Sequence, residues 1–206
     1  MGRHLKMDPE LEEVVSLYKT ACCLKQLPRQ GWIQEGALVT EADCVAGHSF
    51  CVALTAFMLA QVLKNRGHDV NVDRVLAMAV FHDLPECATG EIASAVKNCM
   101  GADADRIEEE LFAKLLNGLG VKEALLELVR VFNAGETNEA LIVKFADILD
   151  AHAHARDRLH KTFPEYLQRQ CKKLRGKNTE IGSLLADWVD QVRENYDAVP
   201  RREPWL

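Results

Sequence analysis

Residues 72–84 read VDRVLAMAVFHDL, and this stretch decides how the rest of the chain is interpreted. Apolar residues occupy most sides of the helix that it would form, which is typical of a helix in a protein interior. Asn71 is suited to cap the start of this helix, and Pro85 is suited to end it. The stretch closes on His82 and Asp83, an imidazole and a carboxylate whose burial is costly unless a partner satisfies them.

The composition predicts an all-α protein. The chain has 206 residues, of which 48% are hydrophobic, 27% charged and only 6% aromatic, so it can bury a substantial helical core. A formal charge of −6 argues against a nucleic-acid polymer as partner but allows one nucleotide in a local basic pocket. The seven cysteines form no CxxC motif, and we expect free thiols in a reducing cytoplasm.

Apolar periodicity and capping residues predict most of the helices. They are expected at about 9–26, 46–66, 72–84, 103–117, 121–132, 137–161 and 179–196. The last of these has Asn178 or Thr179 as its cap, and an ordered loop is expected at 27–45. A turn is expected at 86–92 and an irregular tail at 200–206.

The chain is expected to form a single domain over 1–206. Its metal-site core would span about 29–151, and a C-terminal helix and tail about 178–206. No segment is expected to reach the ~20 consecutive apolar residues that cross a bilayer, and the first residues lack the apolar core of a signal peptide.

Two further polar residues interrupt apolar helices. Asp147 lies within LIVKFADILDA at 141–151, and His48 begins the apolar helix that follows Gly47. Taken alone, His82 could be a helix-end histidine, Asp147 could pair with a lysine or arginine, and His48 could be a satisfied polar residue. Together with Asp83 they offer a set of nitrogen and oxygen ligands that leaves open positions on a divalent ion, which indicates a catalytic metal site.

Five stretches carry a resemblance to a known family. They are PRQGW at 28–32, AGHSFCVA at 46–53, FHDLPECATGEI at 81–92, AVK at 95–97 and VKFADILDA at 143–151. In this order and spacing the chain resembles the HD-domain phosphohydrolases, and in particular their small 5′-deoxynucleotidases. The resemblance implies a compact helical bundle and hydrolysis of (deoxy)nucleoside 5′-monophosphates to nucleoside and phosphate. It also implies one divalent metal (Mn, Co, Mg, Zn, Ni or Fe) on His48, His82, Asp83 and Asp147.

The resemblance also implies roles for residues around the metal. Glu86 matches a family glutamate that acts as general acid or base, and Arg29 matches a loop arginine that can grip phosphate. Trp32 is expected near the sugar or base, or else as a packing anchor. Glu91 stands where the family usually has an aspartate that contacts the deoxyribose. Lys144 could support the phosphate, or it could be a solvated lysine.

Other positions depart from the family pattern. Residues 130–132 (RVF) replace an acidic-aromatic stretch, and residues 93–95 (ASA) replace prolines, so the nucleoside specificity is less certain than the chemistry. His152 and His154 lie outside the pattern and are expected to be structural. The alternatives are action on another small phosphomonoester, or a non-catalytic metal- or nucleotide-binding protein. A cytoplasmic homodimer without a membrane partner is expected.

Overall fold

Eleven α-helices and two short 3₁₀ turns make up the described secondary structure. The structure is a computed structural model that describes residues 7–162, 164–177 and 179–202. In chain order the helices are α1 Pro9–Ala21, α2 Gln30–Gln34, α3 Val45–Asn65, α4 Val72–Phe81, α5 Glu86–Thr89, α6 Ser94–Met100, α7 Ala102–Leu115, α8 Lys122–Ala134, α9 Asn138–Asp157, α10 Pro164–Arg175 and α11 Glu180–Asn195. The described ranges contain no β-strand, and the all-α prediction is confirmed.

Helices α3, α4 and α9 form the centre of the bundle. α3 packs against both of the others, α4 also packs against α8, and α10 and α11 cover α9. Fully buried Val52, Met78 and Ile142 come from the three central helices. Each such side chain stabilises the fold by roughly 1.5–3 kcal/mol. This packing brings together the beginning of α3, the end of α4 and the middle of α9.

Side-chain caps begin the long helices where the sequence predicts them. Asn71 accepts a hydrogen bond from the Arg74 amide at 3.0 Å, and Thr137 accepts one from the Ala140 amide at 3.2 Å. Thr179 caps α11, and the alternative cap, Asn178, lies outside the described residues. These bonds satisfy amides that have no partner within the helix.

The end of α4 differs from the prediction in a way that shapes the site. The helix stops at Phe81 instead of continuing to Leu84, and the amide of Leu84 bonds to the carbonyl of Phe81 in a tight turn. The cause is Pro85, which disfavours helical geometry at the preceding residue and offers no amide of its own. His82 and Asp83 therefore lie in a turn between α4 and α5.

Four helices lie where the sequence pattern predicts none, and one of them, α5, occupies the expected turn at 86–92. α2 interrupts the expected loop at 27–45, and α6 follows the expected turn. α10 occupies a stretch without a predicted element, since α9 ends at Asp157 and not near 161. α10 is highly charged, and of its residues 165–175 only Leu167, Cys171 and Leu174 are buried. Of the expected irregular tail, 200–202 has no helix, and 203–206 lies outside the described residues.

Helix α3 corrects one expectation about membranes. It is 21 residues long with a mean hydropathy of 1.6, so by length and composition it could cross a bilayer. One such helix is weak evidence for a membrane protein, because α3 also packs between α4 and α9 as a central helix of the bundle. Its outer side nevertheless exposes apolar side chains, and the neighbouring α4 exposes two more. This α3–α4 apolar face consists of Phe50, Leu54, Phe57, Met58, Val62, Leu76 and Val80.

Candidate metal centre and substrate cavity

The four predicted metal ligands lie together where α3, α4 and α9 meet. Nε2 of His48 is 3.6 Å from Oδ2 of Asp83 and 3.3 Å from Oδ1 of Asp147. Nε2 of His82 is 3.3 Å from the same Asp83 oxygen. One ligand atom each of His48, His82 and Asp83 lies within 4.8 Å of the other two. Two nitrogens and two carboxylates in this arrangement suit a divalent metal.

Hydrogen bonds at the far side of each imidazole orient the ligand nitrogens. Nδ1 of His82 is 2.7 Å from the Ala79 carbonyl, and Nδ1 of His48 is 2.6 Å from Oδ2 of Asp150. A carbonyl and a carboxylate can only accept, so both Nδ1 atoms carry the proton and each Nε2 faces the site. Nε2 of His82 is buried and has no hydrogen-bond partner among the described residues. A metal would satisfy this atom, and the partners of Nδ1 are the orienting groups that metal sites use.

The centre favours positive charge. Burial opposes the charged form of His48, but its hydrogen bonds with Asp147 and Asp150 raise the pKa of the imidazole to about 10. Burial also acts to raise the pKa of Asp83, yet His82 and His48 lower it well below its usual range. The carboxylates that favour a proton on His48 would also favour a metal cation at the same place. A metal that binds His48 would displace that proton.

Arg29 points one end of its guanidinium at the centre. Its Nε donates to Oε1 of Glu91 at 2.7 Å, and its NH1 lies 3.8 Å from Oδ2 of Asp83 without a hydrogen-bond partner among the described residues. The second Glu91 oxygen accepts from the amide of Gln30. Glu91 therefore holds the loop that carries Arg29, and this loop leaves a buried donor available to an anion.

Glu86 lies beside the ligand turn as the first residue of α5. It is 7% exposed, and its Oε2 has no hydrogen-bond partner among the described residues. Burial first, then the charges of Asp83 and Glu91, raise the pKa of Glu86 to about 9. A bound cation would lower this pKa towards neutrality, where a carboxyl group can both give and take a proton.

Lys97, for which the sequence predicts no role, lies near Glu86 at the edge of the site. Lys97 on α6 is 2.7 Å from Oε1 of Glu108 on α7, and Glu108 is almost completely buried. Burial acts to lower the pKa of Lys97, but Glu108 outweighs it, and Glu86 and Asp83 act in the same direction. A charged ammonium thus lines the same cavity as Glu86.

Trp32 and His154 form a stacked pair at another part of the wall. Their ring centroids are 5.2 Å apart with an interplanar angle of 23°. Trp32 donates its indole N–H to Oδ1 of Asp43 at 3.0 Å, and Nδ1 of His154 is 3.8 Å from the same oxygen. His152, by contrast, packs edge-on against Tyr196. His152 itself lines the cavity, and His154 supports Trp32, which also lines it, so a purely structural role stays a prediction for both histidines.

The cavity has a volume of about 1390 Å³ and is lined by all of the predicted substrate residues, Arg29, Trp32, Glu91 and Lys144. Lys144 is not a freely solvated lysine, because its Nζ lies 4.2 Å from the centroid of the Phe132 ring. Burial lowers the pKa of Lys144, and the neighbouring Asp147 opposes this effect. Asp83, Glu86 and Asp147 line the same space, so the metal centre opens directly into it.

Sequence spacing contains a signal for only some of the residues that the predictions missed. Asp150 follows Asp147 by three residues, so it shares a face of α9 and could have been proposed as a partner for a ligand. Asp43 is far from His154 in sequence, and Glu108 lies on the helix that follows that of Lys97, so neither contact follows from spacing within one helix. Lys97 belongs to a helix that the sequence pattern does not predict.

An all-α bundle with a buried His/Asp centre and an unpaired arginine donor defines a class, the metal-dependent hydrolases of phosphate esters. The family model described as HD domain matches residues 22–187. The chain belongs to the HD-domain family. It is 32% identical over 189 residues to the human 5′-deoxynucleotidase, covering 88% of this chain and 86% of that protein.

Two further comparisons agree with this assignment. The 5′-deoxynucleotidase of Vibrio cholerae is 30% identical over 152 residues, which cover 69% of this chain and 77% of that protein. Among solved structures, a conserved hypothetical protein from Pyrococcus furiosus superposes with a TM-score of 0.70 at 28% identity. That superposition covers 87% of this chain and 99% of the other. HD-domain phosphohydrolases depend on a metal ion, and the His/Asp centre is positioned to hold one.

Proposed function

We propose that this chain is a metal-dependent phosphomonoesterase that hydrolyses (deoxy)nucleoside 5′-monophosphates to nucleoside and phosphate. The observation that carries the proposal is the convergence on one cavity of the His/Asp centre, the unpaired NH1 of Arg29 and the buried carboxyl of Glu86. The names of the human and Vibrio cholerae relatives, both 5′-deoxynucleotidases, support the nucleotide as substrate.

His48, His82, Asp83 and Asp147 would hold one divalent metal ion. When bound, the ion supplies Lewis acidity at a phosphate oxygen and lowers the pKa of water at the site. Several first-row ions and magnesium suit two imidazoles and two carboxylates, and their availability selects among them. Asp150 and the Ala79 carbonyl keep each ligand imidazole in the required tautomer.

Arg29 and Lys97 are the groups that we assign to the phosphate. The unpaired NH1 of Arg29 can donate to a phosphate oxygen while Glu91 holds the other end of the guanidinium. Lys97 has three N–H donors, one of which faces Glu108, so others remain for the ligand. Lys144 lines the same cavity and is assigned a supporting role.

Glu86 is assigned the proton transfer. Its carboxyl group can take the proton of the attacking water or give one to the leaving 5′-oxygen, because a bound cation would lower its pKa of about 9 towards neutrality. Trp32, fixed by Asp43 and His154, is assigned to the nucleoside. Contact of Glu91 with the sugar stays a prediction, since both its oxygens engage the Arg29 loop.

A substrate panel tests this proposal. The purified chain is incubated with Mn²⁺, Co²⁺ or Mg²⁺ and with ribo- and deoxyribonucleoside 5′-monophosphates, a sugar phosphate and an aryl phosphate, and phosphate release is measured. We expect the highest kcat/KM for a nucleoside 5′-monophosphate. Preference for a non-nucleotide would favour the alternative of another small phosphomonoester. Release from no substrate with any ion would favour a non-catalytic binding protein.

We also propose that the protein is a cytoplasmic homodimer that acts on soluble nucleotide. The α3–α4 apolar face supports the dimer, because contiguous exposed apolar side chains on a folded protein commonly mark an interaction surface. A soluble substrate and seven free thiols accord with a reducing compartment.

A further inference from the structure

The cavity continues well beyond the metal centre. Its volume of about 1390 Å³ exceeds the roughly 300–1,000 Å³ that is typical of small-ligand sites. From Asp147 it extends along α9 to the C-terminal ends of α8 and α10. The metal, Arg29 and Lys97 account for one phosphate at the first end, and they leave the second end without a function.

Five cations line this second end. They come from α9, from α10 and from the turn that follows α10, and we call them the cationic end: Lys144, Arg169, Lys172, Lys173 and Lys177. Asp105 also lines this part of the cavity and attracts Lys144. Within the part of the chain that the structure describes, none of the five forms an ion pair with a carboxylate.

Lys144 connects the two ends of the cavity. It precedes Asp147 by three residues on α9, and its Nζ lies against the Phe132 ring near the end of α8. Lys173 and Lys177 are close enough to repel its charge. The methylene chain of Lys144 also passes close to Gly135, where a β-carbon would lie 2.6 Å from its Cε. The end of the Lys144 side chain is therefore packed between Phe132 and Gly135.

Helix ends explain only part of this arrangement. Lysines in the last turn of α10 complement the helix dipole, and Nζ of Lys177 donates to the Ala134 carbonyl at 2.8 Å at the end of α8. Neither effect requires the lysines to face one cavity together with Lys144. Lys144 is partly buried, whereas Arg169, Lys172, Lys173 and Lys177 are exposed. Cations that lie together without a carboxylate ion pair repel one another, and an anion that joins them would relieve this repulsion.

We propose that the cationic end binds a second phosphate group of the substrate, so that the preferred ligand is a nucleotide with two separate phosphates. This inference rests on the proposed function and names its substrate class. In a nucleoside 3′,5′-bisphosphate, the 5′-phosphate would lie at the metal centre and the 3′-phosphate among Lys173 and its neighbours. Water attacks the 5′-phosphorus, the bond to the 5′-oxygen breaks, and the products are inorganic phosphate and the nucleoside 3′-phosphate.

Substrate comparison on one lysine variant tests this inference. The kcat/KM values of metal-loaded wild type are measured for 2′-deoxyadenosine 5′-monophosphate and for 2′-deoxyadenosine 3′,5′-bisphosphate. We expect the bisphosphate to be preferred about tenfold or more, the size of one or two hydrogen bonds to a charged group. Lys173→Gln should remove most of this preference and leave the monophosphate value unchanged. The double variant Lys173→Gln/Lys177→Gln should remove the remainder.

Lys64→Gln is the matched control, since Lys64 is exposed on α3 outside the cavity and the substitution changes the net charge equally. It should keep the bisphosphate preference. Equal kcat/KM for the two substrates in wild type would overturn the inference. So would an equal loss for both substrates in Lys173→Gln, because the lysine would then serve the hydrolysed phosphate or the fold.

Calorimetry separates this inference from the proposed function. Both nucleotides are titrated into Mn²⁺-loaded Glu86→Gln, chosen to suppress turnover. If wild type hydrolyses neither nucleotide, the proposed function fails. Tighter binding of the bisphosphate that Lys173→Gln abolishes would still support the second phosphate site, and equal affinities would overturn it.

Discussion

At the scale of single residues, the centre depends on the state of two imidazoles. The Ala79 carbonyl and the Asp150 carboxylate each accept a hydrogen bond from an Nδ1–H, which leaves each Nε2 to face the carboxylates of Asp83 and Asp147. Because a carbonyl cannot donate, the tautomer of His82 is fixed by its backbone neighbour alone. The ligand geometry is therefore built into the fold before a metal binds.

Asp150 provides a test of this orienting role. Asp150→Asn should weaken metal binding by about 10- to 100-fold, as the loss of a hydrogen-bond partner behind a ligand imidazole commonly does. Titration of metal-free protein with Mn²⁺ measures the affinity. Asp69→Asn, an exposed carboxylate outside the site, is the control and should bind as wild type. Unchanged affinity in Asp150→Asn would refute the role.

Glu86 separates metal binding from turnover. Glu86→Gln should retain the metal, because the side chain is not among the four ligands, and should lower kcat by about 10²- to 10⁴-fold through loss of proton transfer. Metal content by mass spectrometry and kcat with a nucleoside 5′-monophosphate are measured on the same sample. A variant that keeps wild-type kcat shows that Glu86 does not move the proton.

Site residues can be predicted from the sequence where a polar side chain interrupts an apolar, buried helix. His82, Asp83 and Asp147 stand out because each interrupts an apolar helix, and α3, α4 and α9 do bring them together with His48. Asp150 lies three residues after Asp147 in the same apolar stretch and could have been proposed, whereas Asp43 carries no such signal, because a carboxylate in a loop is ordinary. Their partners become evident only when the helices are placed.

At the scale of secondary-structure elements, α6 and α7 build one wall of the site through a single ion pair. Lys97 on α6 and buried Glu108 on α7 are 2.7 Å apart, and Glu108 reaches no other cation among the described residues. Breaking such a pair leaves an uncompensated buried charge. The pair thus couples the position of α6 to the phosphate end of the cavity.

Lys97→Met should raise the KM of a nucleoside monophosphate about 10- to 100-fold, the value of a charged hydrogen bond to phosphate. Lys97→Arg, which keeps the charge, should recover much of this loss, whereas a purely structural lysine would show no such rescue. Kinetics over a range of substrate concentrations and melting temperatures of both variants provide the readout. Equal KM in Lys97→Met and wild type, with the fold intact, would rule out the phosphate contact.

Helices with a full apolar stripe are predicted from the sequence, and helices with a sparse one are not. α3, α8 and α9 start and end within a few residues of their expected bounds. α10 has three buried apolar residues among many charged ones, so tertiary packing against α11 and not local pattern determines it. The cationic end depends on α10, and the sequence therefore gives no indication of it.

At the scale of the whole molecule, the α3–α4 apolar face is the feature that a single chain does not explain. Phe50 is 68% exposed, and Leu54 and Met58 are each about half exposed on neighbouring turns of the same helix. Helix α3 thus has one side in the core and another side available to a second copy. This is why its composition also meets the criterion for a membrane span.

Charge on this face should separate the subunits. Leu54→Glu together with Met58→Glu should convert the proposed homodimer to monomer, because burying two carboxylates at an apolar interface is costly. Sedimentation velocity measures the mass. Val121→Glu, which also replaces an exposed apolar residue, is the control and should remain dimeric. A wild-type protein that sediments as a monomer at all concentrations would contradict the dimer.

The central claim is that the four-ligand centre holds the metal that hydrolysis requires. Metal content and phosphate release from a nucleoside 5′-monophosphate, measured together on wild type, His82→Ala and Asp83→Ala, test it most directly. We predict about one metal ion per chain with turnover in wild type, and loss of both metal and turnover in each variant. Substantial hydrolysis by metal-free Asp83→Ala protein would contradict the claim.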